Sequence, residues 1–566
     1  MILVRLLRAA IPFGLLWIPK LILDDLLQSL HGNKPITATF HLLLAELALA
    51  ISADLLSRAN NVLDVLLGDR FTDHVALLLM DKSTFLDLSS FEDPVYYDKL
   101  ARIRSQSANR MWLLVSVLNS TQELITLSVL SAAFILFSPW LLLLLVASAV
   151  PTFGCEVFFS KLNYSALSRQ TPKRRLLEYY RYLLTCAETA KEIRLFGLKD
   201  HFKNRYLHLS AALFDENRSL AIKRAVGGWT LSLLSAAAYY LGYLDIIHAL
   251  LSSVISVGTF TFLIGSFSRA RSSTERIFSS VNDICEQAHF VRDLIDFLQI
   301  QPTISSPIHP ISLTKASDRG FEFRHVSFIY PGSSSYVLTD VSFRIEPSEI
   351  VAIVGRNGAG KTTITRLICR LYEPSSGQIF LDGIEIRDYD ILDYRKQISA
   401  LFQDYVRFDL SIRENIGFGE IDFIGDDNRI RNSARLSGAS QLLERFPLGL
   451  NQLLGRQFEG AADLSGGEWQ KIALARAYTR DARLLILDEP TASIDVEAEY
   501  KISRNFREIT SDRMAIIISH RFSSLRMANK ILVIEAGIIS EEGTHEELIY
   551  RAGLYSELYR IQSDLS

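Results

Sequence analysis

The most restrictive feature of the sequence is a long stretch, residues 124–155, in which no side chain is charged. A single helix of these residues would be about 48 Å long at ~1.5 Å per residue, whereas the hydrocarbon core of a bilayer is ~30 Å thick. The stretch must therefore fold back on itself. Ser138, Pro139 and Trp140 predict the turn, because proline ends a helix and tryptophan suits the membrane interface. We expect two adjacent membrane-spanning helices here.

Other apolar runs predict further spans. Residues 225–244 and 246–268 carry no acidic or basic side chain other than His248, and Asp245 separates them into a second pair. The run 35–52 predicts another span, with a buried helix of a soluble protein as the alternative. Within residues 1–28 the longest uncharged run is 9–19, which is shorter than a span. We interpret this region as the distal part of a first transmembrane helix, which either begins upstream of Met1 or is a shortened helix supported by its neighbours.

Charged segments between these runs indicate how the predicted helices are oriented across the membrane. Residues 157–224 contain many lysines and arginines, whereas the predicted turns at 138–140 and 245–253 contain none. By the positive-inside bias the charged segments face the cytoplasm, and their length predicts helices that continue into it. The stretches 91–97 and 191–198 are candidate contact points for another part of the protein, with a solvated helical face as the alternative.

Composition excludes some classes of function. The 60 basic and 63 acidic residues give a formal charge of −3, which is not the positive footprint of a nucleic-acid-binding protein. The four cysteines, Cys155, Cys186, Cys285 and Cys369, match no metal-ligand or disulfide spacing. Redox chemistry is therefore not indicated.

The second half of the chain has a different pattern. A linker rich in proline and serine, residues 301–317, precedes short alternating strands such as 321–328 and 341–345. Residues 350–354 then predict a buried strand that leads into a G-x-x-x-x-G-K-T phosphate loop. The loop and the residue after it are Gly355, Arg356, Asn357, Gly358, Ala359, Gly360, Lys361, Thr362 and Thr363.

Each residue type in this loop has a chemical reason. The glycines let consecutive backbone N–H groups face phosphate oxygens, Lys361 brings a positive charge to the β- and γ-phosphates, and Thr362 is a ligand for Mg²⁺. The helix predicted over 362–371 directs its positive end at the same phosphates. The loop therefore predicts a nucleotide site.

Further residues complete this site. The apolar strand 484–488 ends in Asp488, placed to hold Mg²⁺, and is followed by Glu489, placed as the general base for the attacking water. Gln403, after a strand over 398–402, is expected to contribute to Mg²⁺ and the water, and His520 to bond the γ-phosphate. Tyr330 lies ahead of the loop and is expected to stack on a purine, a contact worth roughly 1–3 kcal/mol.

A second anion site lies at Ser465, Gly466 and Gly467, which open a helix predicted to run through Ala477. This site has no lysine, and the chain already has its phosphate loop. A second anion site of this kind has a role if it covers the nucleotide that is bound by another copy of the chain.

With these motifs in place, the chain resembles an ATP-binding cassette (ABC) exporter in its half-transporter form. The resemblance covers nearly the whole length and identifies residues 355–362 as Walker A, Gln403 as the Q-loop, 464–468 as the signature, 484–489 as Walker B, 493–495 as the D-loop and His520 as the switch histidine. It implies an all-α membrane domain of about six transmembrane helices over 1–300, a linker over 301–317, and an α/β P-loop NTPase domain over 318–566.

The resemblance also implies cofactors and partners. ATP and Mg²⁺ are expected in two sites, each between Walker A of one subunit and the signature of the other, in a homodimer, with a heterodimer as the alternative. The expected location is a bacterial inner membrane, with the nucleotide-binding domain in the cytoplasm. No nucleic-acid partner is expected.

Within the family, the phrases at 402–408, 413–419 and 466–471 resemble bacterial exporters of lantibiotic-type peptides. The chain departs from the family pattern in its short first helix, in Ile494 where leucine is usual, and in having no cysteine-protease domain ahead of the membrane domain. The last departure argues against an exporter that trims the leader of its own cargo.

Several alternatives remain for the function. They are a flippase for lipids or lipid-linked glycans, a soluble ABC ATPase acting on DNA or ribosomes, and an ATP-gated regulator that transports nothing. The uncharged runs count against the soluble protein. Glu46 and Glu123, ionisable groups at membrane depth, would meet a cationic cargo, lie at the membrane interface or pair with neighbouring helices.

Overall fold

A computed structural model describes residues 2–30, 37–93, 96, 100, 103, 111–137, 139–312, 319–491, 494, 496–521 and 525–563. The chain forms two compact units. The first comprises Met1–Phe85 and Val95–Ile300, and the second comprises Leu86–Pro94 and Gln301–Ser566. The short segment Leu86–Pro94 thus belongs to the second unit although it precedes most of the first in sequence. It includes the beginning of the predicted contact stretch 91–97, of which Pro94, Val95 and Tyr97 lie outside the described residues.

The described part of the first 300 residues is mainly helical. Their helices are α1 (Ile2–Leu30), α2 (Thr37–Phe85), α3 (Leu88–Glu92), α4 (Met111–Phe137), α5 (Pro139–Thr185), α6 (Ala190–Leu195), α7 (Lys199–Leu251) and α8 (Val257–Leu298). Of these, α3 lies in the second unit and the rest in the first. Helix α6 overlaps the other predicted contact stretch, 191–198.

Five of the described helices are long and apolar enough to cross a membrane: α1, α2, α4 from Leu114, α5 as far as Phe159, and α7. The sixth long helix, α8, shares a buried core with α4 and α5 that includes Leu130, Phe134, Leu141, Phe262 and Phe267. Its arginines begin at Arg269, so its uncharged part is short. The prediction of a helical membrane domain is confirmed.

The predicted turn between α4 and α5 is also confirmed. Helix α4 ends at Phe137 and α5 begins at Pro139, while Ser138 lies outside the described residues. Proline is favoured in the first turn of a helix, where its missing N–H has no intrahelical partner to lose. Pro139 therefore starts the second helix of the pair as well as ending the first.

The predicted interruption at Asp245 and the predicted single span over 246–268 are both wrong. Asp245 does not interrupt a helix, because α7 continues through it to Leu251. The break lies at residues 252–256, where the Ser256 hydroxyl accepts a hydrogen bond from the Thr259 N–H at 3.1 Å and starts α8. A capping serine thus sets the boundary, and a single charge does not. The predicted span 246–268 is split between two helices.

The first helix is not short. Helix α1 has 29 residues, and two of its charged side chains have partners on α2. Arg5 forms an ion pair with Asp64 of α2 at 2.5 Å, and Asp25 accepts a hydrogen bond from Thr39 at 3.0 Å. Counting uncharged residues underestimated this helix because charged side chains such as these have partners inside the unit.

The second unit contains two sheets. The strands are β1 (Phe321–Phe328), β2 (Leu338–Ile345), β3 (Ile350–Gly355), β4 (Ser376–Leu381), β5 (Ile384–Glu385), β6 (Ile398–Leu401), β7 (Leu484–Asp488), β8 (Met514–Ile518), β9 (Lys530–Glu535) and β10 (Ile538–Gly543). One sheet is antiparallel, in the order β2-β1-β4-β5. The other has the order β10-β9-β3-β8-β7-β6, and all its strands except β10 are parallel.

Helices surround these sheets. They are α9 (Lys361–Ile368), α10 (Ile391–Lys396), α11 (Ile412–Gly417), α12 (Asp427–Leu436), α13 (Ser440–Arg445), α14 (Gly466–Thr479), α15 (Val496–Ile509), α16 (His545–Tyr550) and α17 (Leu554–Ser563). Apolar residues of both sheets and of α9 form one core cluster, which includes Phe323, Val341, Ile364 and Ile486. The predicted α/β domain is confirmed.

The parallel sheet positions the functional residues. Strands β3, β8, β7 and β6 are neighbours in that order, so their carboxyl ends lie along one edge. Ligands of open α/β sheets bind outside this edge. The phosphate loop follows β3, Asp488 and Glu489 end β7, His520 follows β8, and Gln403 follows β6.

Candidate functional site

The phosphate loop has the backbone conformation that its glycines predict. Gly358 and Gly360 have φ values of +79° and +105°, a region that L side chains rarely adopt. A Cβ at Gly360 would also lie 2.7 Å from the Leu338 side chain. Helix α9 begins immediately afterwards, at Lys361, so its N-terminal N–H groups and the loop face the same space.

Lys361 folds back over this loop. Its Nζ donates to the carbonyl oxygens of Gly355 at 2.7 Å and Arg356 at 3.0 Å. Burial lowers the pKa of Lys361, and the carboxylates of Glu489 and Asp488 oppose that shift. The ammonium group is therefore held at the loop by carbonyl oxygens and by negative charge.

A cavity of about 610 Å³ opens at this edge of the sheet. Most of the predicted site residues line it. The lining residues are Tyr330, Val337, Asn357, Gly358, Gly360, Lys361, Thr362, Thr363, Gln403, Asp488, Glu489 and His520. Gly355, Arg356 and Ala359 do not line it: the Arg356 guanidinium lies 3.6 Å from Glu557 of α17, and Ala359 is buried behind the loop.

Two oxygen donors meet next to the loop. The Thr362 hydroxyl donates to Asp488 Oδ2 at 3.4 Å. Burial raises the pKa of Asp488 to about 6, and the charge of Glu489 adds to the rise. A carboxylate in this environment gains from a nearby cation. Hydroxyl and carboxylate oxygens are ligands that suit Mg²⁺, so the donor set fits that ion.

Glu489 lies between the other two predicted catalytic side chains. Its carboxylate accepts a hydrogen bond from Gln403 Nε2 at 3.4 Å and lies 3.5 Å from His520 Nε2. Burial lowers the pKa of His520, and the charge of Lys361 lowers it further. A neutral imidazole therefore faces the carboxylate at neutral pH.

The backbone of Glu489 is unusual. Its φ is +51°, a left-handed conformation that costs a non-glycine residue roughly 1–3 kcal/mol and is common at active sites. The Glu489 N–H donates to Ile518 O at 2.8 Å, and Gln470 Nε2 donates to the Glu489 carbonyl at 2.8 Å. Two hydrogen bonds thus hold the Glu489 backbone in its strained conformation.

Tyr330 is fixed at the rim of the cavity. Its hydroxyl lies 3.0 Å from the Thr363 hydroxyl and accepts a hydrogen bond from Arg366 at 3.3 Å. The Tyr330 ring packs edge-on against Phe328 and Tyr372. The tyrosine predicted to stack on a purine is therefore restrained by both its ring and its hydroxyl.

The segment Leu86–Pro94 extends this network within the second unit. Glu92 accepts a short hydrogen bond from the Tyr372 hydroxyl and lies 3.6 Å from the Arg366 guanidinium. Both partners of Glu92 contact Tyr330. Glu92 is thus one residue removed from the predicted purine contact, a connection that no motif indicated.

Ser465, Gly466 and Gly467 do not line the cavity. They form the start of α14, where the Ser465 hydroxyl accepts from the Glu468 N–H and the Glu468 carboxylate accepts from the Ser465 N–H at 2.8 Å. Ser465 and Gly466 are exposed. The structure therefore brings most of the other predicted site residues together at the cavity. In a single copy the helix start at Ser465 faces solvent.

Sequence reasoning missed two residues of the site. Val337 lines the cavity, and buried Gln470 holds the Glu489 backbone. Gln470 stands four residues after Gly466, one helical turn into α14, and this spacing was the available signal. Ile494 is buried in an apolar cluster with Ile502 and Phe506, while Ser493 and Asp495 lie outside the described residues.

Comparison with known proteins agrees with this geometry. Residues 338–492 match the family model described as ABC transporter. The chain is 31% identical to the subtilin transport ATP-binding protein SpaT of Bacillus subtilis, over 98% of this chain and 90% of that protein. It is 26% identical to the nisin transport ATP-binding protein NisT of Lactococcus lactis subsp. lactis, over 99% and 92%.

Two further similarities were found. An ATP-dependent lipid A-core flippase of Alcanivorax borkumensis is 29% identical over 76% of this chain and 72% of that protein. A solved structure described as a bacterial Atm1-family ABC exporter with ATP bound has a TM-score of 0.83 at 22% identity, covering 99% of this chain and 97% of that chain. The latter similarity supports the fold across both units.

Proposed function

Because this chain belongs to the ABC transporter family and couples ATP hydrolysis to export, we propose that it works as a homodimer in a bacterial plasma membrane and that its cargo is a peptide. The nucleotide-binding domain lies in the cytoplasm in this proposal. The chain is a membrane protein whose second unit is an ABC ATPase that binds ATP.

The observation that supports the homodimer is the separation of the two predicted anion sites within one copy. Lys361, Glu489 and His520 gather on one side, while the lysine-free helix start at Ser465 is exposed elsewhere on the same unit. A helix N-terminus preceded by small residues is an anion site. In the dimer, Ser465 of one copy covers the nucleotide bound at Lys361 of the other. A two-fold axis makes both sites identical.

Mg²⁺ is a further part of this proposal. Thr362 and Asp488 would hold it, with the Gln403 amide oxygen from the neighbouring strand end as a third donor. When bound with ATP, Mg²⁺ neutralises charge on the phosphates. The raised pKa of Asp488 gives this carboxylate an additional gain from binding a cation.

The chain's own side chains supply the rest of the mechanism. Lys361 exchanges its two carbonyl partners for phosphate oxygens when ATP binds. Glu489 accepts the proton of the attacking water, and Gln403 and His520, at 3.4 and 3.5 Å, orient the carboxylate. A general base contributes ~10²- to 10⁴-fold to a rate. Tyr330 stacks on the adenine.

A peptide cargo is supported by how much of this chain is similar to each relative. The relatives named for subtilin and nisin transport match over 98% and 99% of this chain, so the match includes nearly all of the membrane domain. The relative named as a lipid A-core flippase matches over 76%. That relative favours a second candidate, a lipid flippase, which the same experiment tests.

The experiment uses the full chain purified into nanodiscs. We expect its ATPase rate to rise on addition of subtilin or nisin, and labelled peptide to accumulate in inside-out vesicles when ATP is supplied. The Glu489→Gln protein is the control for coupling. Stimulation by lipid A-core, with no response to either peptide, would replace the peptide proposal by the flippase.

A further inference from the structure

A cluster of charged side chains joins three helices of the membrane domain. Glu123 of α4 is buried and accepts hydrogen bonds from Arg276 of α8, at 2.9 Å from Nε and 3.2 Å from Nη2. Arg269, two turns earlier on α8, lies 3.6 Å from the same carboxylate. The expectation that Glu123 pairs with a neighbouring helix is confirmed, so this carboxylate is not free for a cationic cargo.

The cluster lies at membrane depth. Glu123 precedes the end of α4 at Phe137 by 14 residues, which is about 21 Å at ~1.5 Å per residue. The turn after Phe137 is on the outer side in the proposed orientation, and the hydrocarbon core is ~30 Å thick. Glu123 therefore lies in the cytoplasmic half of the membrane. The Thr126 hydroxyl donates to Ala9 O of α1 at 3.0 Å, which places Arg8 near the same level.

Positive charge exceeds negative charge in this cluster. Arg269 and Arg276 lie against Glu123, and Arg8 is an electrostatic neighbour of Arg269. Among the described residues, Glu123 is the one carboxylate paired with these arginines and neutralises one guanidinium, which leaves two positive charges. Arg269 Nε is buried and, among the described residues, has no hydrogen-bond partner. The nearby Arg5 is already paired with Asp64 and adds no net charge.

The excess charge is accessible. In one copy the side chains of Arg269 and Arg276 are 33% and 43% exposed. A charged side chain facing lipid at the centre of a membrane costs ~2.5–3.5 kcal/mol or more, and such groups almost always face a bundle interior or a water-filled cavity. The exposed parts of these two side chains are therefore expected to face the bundle interior or a water-filled space.

We propose that Arg269, with Arg276 and Arg8, binds carboxylates of an acidic segment of the peptide cargo on the cytoplasmic side of the transport path. This inference rests on the proposed peptide export. A guanidinium presents a planar fork of N–H donors that matches a carboxylate. The Arg269 side chain is 33% exposed and so offers such donors, and the unmatched positive charge selects acidic segments over neutral ones.

The test is peptide binding to the full-length dimer in nanodiscs of phosphatidylcholine. The probes are a fluorescent glutamate-rich synthetic peptide and its glutamine-substituted counterpart. We expect Arg269→Gln to weaken binding of the acidic peptide about tenfold or more, since hydrogen bonds to charged groups contribute ~1.5–3 kcal/mol, and to leave the weaker binding of the neutral peptide unchanged. Arg269→Lys, which keeps the positive charge, should weaken binding of the acidic peptide less than Arg269→Gln does.

A matched control is available on the same helix. Arg271 forms an ion pair with Glu275 at 3.0 Å, so Arg271→Gln should bind both peptides as the wild type does. Equal affinity of the wild type for the two peptides, or equal loss of both in Arg269→Gln, would overturn the inference while leaving peptide export in place.

Other outcomes separate the inference from the proposed function. Failure of the wild type to bind either peptide, or to export any, would overturn both proposals. If phosphatidylglycerol in the nanodisc abolishes binding of the acidic peptide, and Arg269→Gln lowers the retention of that lipid, the site belongs to a lipid phosphate and the assignment to cargo is wrong.

Discussion

The two units of this protein use charged side chains in opposite ways. In the membrane domain, charges such as Arg5 with Asp64 and Glu123 with Arg276 pair between helices that are distant in sequence. In the ATPase domain, Lys361, Asp488 and Glu489 follow strand ends and converge on an open cavity. The first arrangement supports packing and the second supports chemistry. Substitutions of the paired charges in the membrane domain should therefore change stability, and substitutions of the charged residues at the cavity should change turnover.

The largest expected effect is on turnover. Glu489→Gln should slow ATP hydrolysis ~10²- to 10⁴-fold because the general base is lost, while the contacts of Lys361, Thr362 and Asp488 still bind nucleotide. Steady-state phosphate release measures the rate, and binding of a fluorescent ATP analogue measures affinity. Melting temperature should not change.

Glu535→Gln is the matched control, because Glu535 is an exposed carboxylate at the end of β9. It should hydrolyse ATP at the wild-type rate. Near-normal hydrolysis by Glu489→Gln would remove Glu489 from the role of general base.

The converse effect is expected in the membrane domain. Arg5→Leu leaves Asp64 without its cation in a largely buried site, where the Asp64 side chain is 15% exposed. Removing one partner of such a pair typically costs ~3–5 kcal/mol, whereas replacing both by apolar residues costs much less. Arg5→Leu should lower the melting temperature in detergent, and Arg5→Leu with Asp64→Leu should recover most of it.

A double variant no more stable than Arg5→Leu would mean that the ion pair does not explain the loss. The exposed pair Arg58 and Asp54 is the control, since both side chains are more than half exposed. Surface pairs of this kind contribute ~0–1 kcal/mol, so Arg58→Leu should melt close to the wild type.

A smaller effect is expected at Glu92, which belongs to the ATPase unit although it lies among membrane helices in sequence. Glu92→Ala removes the acceptor of Tyr372 and the carboxylate next to Arg366, and so loosens Tyr330. A loss of ~1 kcal/mol, the net contribution of one hydrogen bond, corresponds to about a fivefold rise in KM for ATP. The kcat should stay within twofold, roughly half a kcal/mol.

Glu92→Gln keeps an oxygen acceptor for the Tyr372 hydroxyl and should show a smaller rise in KM. A fall in kcat with unchanged KM would contradict the role of Glu92 in positioning Tyr330. KM and kcat are read from the ATP dependence of phosphate release by the detergent-purified protein.

The same contrast between the units explains what the sequence could predict. The phosphate loop, β7 with Asp488 and Glu489, and the helix start at Ser465 are local patterns, and the structure has β3, β7 and α14 where they were expected. The positions of Gln403 and His520 follow from the strand order. The contacts of Glu92 with Tyr372 and of Gln470 with the Glu489 carbonyl were not predicted, because each depends on a residue in another element of the fold.

The membrane domain was predictable in class and less so in its boundaries. Asp245 and the charges of α1 suggested interruptions, yet α7 passes through Asp245 and α1 has 29 residues. A charge in an apolar run therefore need not interrupt a helix; Arg5 of α1, for example, is paired with Asp64 of α2, and such pairing depends on how helices pack. For the same reason, the imbalance of charge around Glu123 is visible in three dimensions and absent from any motif.

The central claim is that two copies build two composite ATP sites. A homodimer of Lys361→Ala chains, or of Ser465→Arg chains, has one damaged wall in each site and should hydrolyse poorly. In a hybrid of the two variants, one site takes both damaged walls and the other is assembled from intact ones.

The measurement is ATP hydrolysis, and nucleotide trapping with vanadate, by hybrids isolated through two different affinity tags. We expect hybrids to hydrolyse ATP, or at least to trap nucleotide at one site per dimer, well above either parent. Hybrids no better than the parents on both counts would contradict the composite-site homodimer.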